Sequence, residues 1–140
     1  MTLLEVLLPL FVQVALTFAL LFWMAFSRTR SLKAGTTNIP EIALREPNWP
    51  PEVTQIANAF HNQLEVPLLF YVLTILALET GHAGYGFVVL AWIFVALRIL
   101  HAAIHVTTNN VRLRGPAYIL GVIVLVLMWA DYMVDIIVWS

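Results

Sequence analysis

YGFVVLAWIFVALRILHAAIHVT, residues 85–107, carries no charged side chain until Arg98, and then places Arg98, His101 and His105 near its end. A hydrocarbon core about 30 Å thick is crossed by about 20 apolar residues in helical form, so this stretch reads as a membrane span with a polar end. Its three polar residues are spaced by three and four, which puts them on one helical stripe. Ionisable groups in a span cost roughly 2.5 to 3.5 kcal/mol each on insertion scales, and so they face a bundle interior or a site.

The rest of the chain has the same character. Hydrophobic residues make up 61% of the 140, charged residues only 11%, and mean hydropathy is +0.89. These values define an integral membrane protein. Net charge is −1 and cysteine is absent, which argues against nucleic-acid binding and excludes disulfides, thiolate metal sites and a cysteine nucleophile. A first apolar run covers residues 3–26, broken only by Pro9, Gln13 and Thr17, and stops at Ser27-Arg28-Thr29-Arg30. It lacks a basic leader and a small-residue cleavage pattern, so a retained helix is expected. Residues 31–51 carry Gly35, Pro40, Pro47, Pro50 and Pro51 and read as a surface loop. A second span is expected over 52–79, the third over 85–107, and a fourth over 116–139, opened by Pro116. The expected fold is all-α, a single four-helix transmembrane bundle.

Within the second span, Asn58, His61, Asn62 and Glu65 share a stripe, matching in depth the stripe of Arg98, His101 and His105. Arg112, Arg114 and Tyr118 fall beside them at the start of the fourth. Glu65 and Arg98 form the expected ion pair. Hydrogen bonds between membrane helices hold bundles together at about 0.6 kcal/mol each, so this seam can be assembly glue or a ligand site. Lysine and arginine cluster in the first and third connections, while the second connection and both termini carry none. By the positive-inside rule both termini lie outside the cytoplasm and the polar seam on its cytoplasmic side, with Glu5, Glu79, Asp131 and Asp135 at the other.

Asn58-Ala59-Phe60-His61-Asn62-Gln63-Leu64-Glu65-Val66-Pro67 resembles the helix-two signature of the membrane-associated proteins in eicosanoid and glutathione metabolism (MAPEG), in which Asn-x-x-Glu is followed by proline. Arg98-Ile99-Leu100-His101, then Arg112-Leu113-Arg114 and Tyr118, is similar in order and spacing to the prostaglandin synthase branch. Arg28 and Arg30 fall where members carry basic residues at the end of helix one. The resemblance spans nearly the whole chain. It implies a homotrimer of four-helix subunits and glutathione as co-substrate, held in a U shape between subunits. It also implies a transferase or peroxidase acting on a lipophilic electrophile. Asn62 and Glu65 would contact glutathione, Arg98 would support the helix-two acid, and His101 and Tyr118 would line the pocket. Either Arg112 or Arg114 would favour the thiolate.

Four positions depart from that pattern. Asn58 replaces the helix-two arginine, His61 a second arginine, His105 a tyrosine and Gly115 a serine. Asparagine does not reproduce bidentate recognition of a carboxylate, so a weaker hold on the peptide is expected. The His61/Glu65 and His101/His105 spacings of four also suit a metal, and this is kept as a second reading. A third is a non-catalytic scaffold or accessory subunit of a larger membrane complex, for which Asp131 and Asp135 are the better evidence. The tryptophans at 23, 49 and 139 fall at span ends as an aromatic belt, and Trp92 and Trp129 read as packing. His82 is expected to be solvated in the outer turn.

Overall fold

The computed structural model describes residues 1–139. Six helices follow in order: α1 (Leu3–Lys33), α2 (Ile39–Ile42), α3 (Pro51–Asn62), α4 (Val66–Glu79), α5 (Tyr85–Val106) and α6 (Val111–Trp139). There is no strand among the described residues. Four stretches are long and apolar enough to cross a membrane, with α3 and α4 together making the second.

α1 begins with a capping box in which Thr2 accepts from the Glu5 amide at 3.2 Å and Glu5 accepts from the Thr2 amide at 2.7 Å. It does not stop at Phe26. Between Ser27 and Lys33 there is no helix breaker, and Arg30 and Lys33 suit the negative end of the dipole, so the helix continues to Ala34. Gly35, at φ +76°, then takes the left-handed conformation that ends it. Ser31 closes the turn with hydroxyl contacts of 2.7 Å to Thr36 and Thr37.

The second span is not the continuous helix expected over 52–79. Pro67 has no amide to give the Gln63 carbonyl, and its ring crowds that carbonyl. The chain answers with tight turns, Gln63 N–H to Phe60 O, Leu64 to His61 and Glu65 to Asn62, before α4 starts. Glu65 stands at φ −99°, ψ −106°, outside the helical region. The fourth helix begins five residues earlier than Pro116. Asn110 caps it, its side-chain oxygen accepting from the Arg112 amide at 3.0 Å and its carbonyl from the Arg114 amide at 2.8 Å. Residues 31–51 form a loop apart from the short α2.

α5 is the central post, packed against α1, α3 and α6. The main core joins Phe70, Leu73 and Ala77 of α4 to Phe94 and Val95 of α5 and Leu125 and Met128 of α6, with the Phe70 and Phe94 rings 4.9 Å apart. Where α1, α3 and α5 meet, Ala59 and Ala102 with Leu20 allow close approach, as small residues do in membrane bundles. His82 is half-buried against the edge of Tyr132 at 6.2 Å, which is a packed position instead of the solvated one expected.

Buried among these helices is a polar pair that the sequence reading passed over. Gln13 Nε2 donates to Gln63 Oε1 at 2.9 Å, and Gln63 Nε2 donates to the Ala59 carbonyl at 2.9 Å; both side chains are fully buried. They tie α1 to the helix break. Gln13→Leu is expected to lower stability by no more than about 1 kcal/mol, because Gln63 Oε1 retains a second donor in Arg98. A thermal midpoint lowered as far as that of an Arg98 variant would contradict this.

Candidate functional site

Three helix ends converge at one end of the bundle and leave a cleft of about 510 Å³ between them, lined by Asn58, His61, Asn62, Glu65, His101, His105, Val111, Arg114, Gly115 and Tyr118. Each wall follows from helical register. On α6, residues 111, 114, 115 and 118 are related by three, four and seven, so one stripe faces the cleft, while Arg112 and Leu113 point away and are exposed. That register exists because the helix starts at Asn110 and not at Pro116. On α5 the stripe of 98, 101 and 105 is buried, with His101 and His105 at the cleft and Arg98 one turn deeper. The break between α3 and α4 brings Glu65 to the same cleft from outside the α3 helix.

Arg98 is 2% exposed. It does not pair with Glu65 as expected: its Nη2 donates to the Asn62 side-chain oxygen, to the Asn62 carbonyl at 3.4 Å and to Gln63 Oε1 at 3.4 Å. These acceptors belong to the residues at the helix break, so the buried cation ties α5 to that break. Tyr118 lies 5.9 Å from the guanidinium carbon and 5.6 Å from the His101 ring, and His101 meets His105 edge-on at 5.6 Å. The three rings therefore form the rear wall, with the buried cation behind them.

The polar capacity of this wall is not used up within the chain. His101 Nδ1, His105 Nδ1 and Arg98 Nε are buried with no hydrogen-bond partner. A buried polar group without a partner is costly, and a site is one place where such groups persist. Arg114 is held by Asn109, whose φ of +50° turns its amide side chain toward the Arg114 guanidinium. The cleft thus holds one arginine, one carboxylate and a set of neutral donors and acceptors.

Three of the expected site residues lie elsewhere. Arg112 is exposed and does not line the cleft. Arg28 and Arg30 project from α1 into two other cavities, Arg28 beside Trp49 and Arg30 beside Trp23. Among the described residues no three His, Cys, Asp or Glu side chains stand close enough to hold a metal ion, so His61, Glu65, His101 and His105 are not brought together as a metal set.

A four-span helical membrane protein with a polar cleft at one end of its bundle is the class that fold and site define. Residues 6–132 match the family model described as the MAPEG family, and the chain belongs to that family. No curated protein and no solved structure matches it. At family level, membership supports a glutathione-related transferase or peroxidase role or a membrane accessory role, in an integral multi-pass membrane protein.

Proposed function

We propose that the chain is a membrane-bound glutathione-dependent transferase or peroxidase acting on lipophilic electrophiles, working as a homotrimer. The observation that carries this is the single cleft in which Arg114, Glu65, Asn58, Asn62 and the unpartnered imidazoles of His101 and His105 meet. Its volume lies within the range of about 300–1,000 Å³ typical of small-molecule sites, and its donor set suits a peptide that carries carboxylates, an ammonium group and a thiol. Glutathione, when bound, supplies the thiol that attacks the electrophile.

Each residue then has a task. Glu65 accepts from an ammonium or amide group, and Asn58 and Asn62 hold carbonyl and carboxylate oxygens. Asn62 is itself fixed by Arg98, so its side-chain position is set before a ligand arrives. Arg114 places a positive charge in the cleft, where it favours a thiolate over a thiol. His101, His105 and Tyr118 close the rear and exclude water from the reacting sulfur. With both termini outside the cytoplasm, the cleft opens at the cytoplasmic side of the membrane, and a lipophilic substrate reaches it from the bilayer.

The test is a glutathione titration of the detergent-solubilised protein, read as thermal stability, because a ligand that binds only the folded state must raise it. Saturable stabilisation in the millimolar range is expected. Glu65→Gln is expected to weaken glutathione affinity about tenfold while the trimer and its melting temperature persist, since Glu65 is exposed and supports no packing. If Glu65→Gln instead dissolves the trimer and leaves affinity unchanged, the cleft is assembly glue and the site assignment fails.

A further inference from the structure

A second cavity of about 470 Å³ lies between the end of α1, residues 42–49 and the start of α3, separated from the cleft by a wall made of Asn58 and His61, which line both. Its charged lining is Arg28, Arg45 and Glu46. We propose that this cavity binds a phosphate mono- or diester. The proposal does not depend on the glutathione reading.

Four observations point to such a group. First, Arg28 is pinned with its guanidinium carbon 5.1 Å from the Trp49 ring centre, and its Nε is buried without a hydrogen-bond partner. A stacked arginine presents its remaining N–H groups as a planar fork, the geometry that matches phosphate oxygens. Second, Arg45 adopts φ +64°, a left-handed conformation that is uncommon away from glycine and is found where surroundings over-determine the backbone. Here the surroundings are its own amide to Ile42 O at 3.1 Å and the Asn48 side chain to Glu41 O at 2.6 Å. Third, Arg28 and Arg45 outnumber the one acid of the lining, Glu46, whose Oε2 accepts from the Leu44 amide at 2.9 Å. The lining therefore keeps an excess positive charge, with Thr54 and Asn58 as neutral donors.

Depth is the fourth. Helical rise puts Arg28 about 37 Å from the start of α1, beyond a hydrocarbon core of about 30 Å. That is the level of phospholipid headgroups, and basic pockets between helix ends at that level recognise anionic headgroups. Trp49, beside Arg28, is the aromatic residue expected at the same interface.

The test uses the full chain in detergent micelles, reading thermal midpoint and tryptophan fluorescence, with Trp49→Phe as the blank that isolates the Trp49 signal. One arm adds inorganic phosphate against chloride at matched ionic strength. The other adds phosphatidic acid against oleic acid, which carries negative charge without phosphate. A saturable response to phosphatidic acid that oleic acid does not give is expected, with Arg28→Gln and Arg45→Gln each weakening it about tenfold. Response to inorganic phosphate as well identifies a soluble phosphate compound as an occupant; response to the lipid alone identifies a headgroup. Arg45 is exposed, so Arg45→Gln remains informative if Arg28→Gln fails to fold. Equal responses to phosphatidic and oleic acids, or an unchanged response in Arg45→Gln, would overturn the proposal. So would a Trp49 signal that follows glutathione and ignores phosphate, which would give the cavity to the peptide.

Discussion

Arg98→Met is expected to destabilise the protein by about 3 kcal/mol, a loss of roughly 10 °C in thermal midpoint for a chain of this size. The methionine stem replaces most of the buried volume, so the cost is not chiefly a cavity. It comes from the Asn62 side-chain oxygen, the Asn62 carbonyl and Gln63 Oε1, which lose the donor they share. Gln63 Oε1 still has Gln13 and the Asn62 carbonyl still has the Glu65 amide at 3.4 Å, but the Asn62 side-chain oxygen is left without a donor. Arg98→Lys is expected to recover only part of the loss, since a single ammonium cannot serve the spread of acceptors that a guanidinium fork serves. Thermal unfolding of the three proteins in one detergent checks this. A midpoint for Arg98→Met within about 2 °C of the parent would mean that the break is held by Pro67 and the tight turns alone.

The same residues explain how far sequence reading reached. Four spans were legible because apolar length is a strong signal in a membrane, where every backbone group must be satisfied within its own helix. The convergence of Asn58, His61, His101, His105 and Tyr118 was legible because spacings of three and four place side chains on one face whatever the tertiary fold. What failed was register at helix ends. Pro67 was visible, but an in-span proline can kink a helix or interrupt it, and only the neighbours decide. Here Gln63, bonded to Gln13, stabilises the interruption. With α3 ending at Asn62, the Asn62 side chain and not Glu65 reaches Arg98, and the expected ion pair becomes a set of hydrogen bonds. With Pro116 as the first helical residue, Arg112 and Arg114 both fall before the helix and share no register with Tyr118. The local signal that brings Arg114 and not Arg112 to the cleft is Asn110, a preferred N-cap residue that starts the helix before both.

That register makes Arg114 the subject of the largest functional effect. Arg114→Leu is expected to lower kcat/KM with a lipophilic electrophile about a hundredfold, the usual cost of removing one preorganised charge partner from a reacting anion. Arg112→Leu is expected to stay within about twofold, because its side chain is exposed and does not line the cleft. The pH profile separates a charge effect from a loss of shape. A cation beside a thiol lowers its pKa, so under the proposed function the parent is expected to hold bound thiolate below the ordinary thiol value of about 8.5. Removing the cation returns the thiol toward that value. The defect of Arg114→Leu must then be greatest near neutrality and shrink as pH rises through about 8.5, with Arg114→Lys intermediate throughout. The ultraviolet absorbance of bound thiolate should shift along the same pH axis. A defect that stays constant from pH 6 to 9.5 would instead assign Arg114 to positioning the peptide, and an equal defect in Arg112→Leu would remove the distinction that the helix start at Asn110 creates.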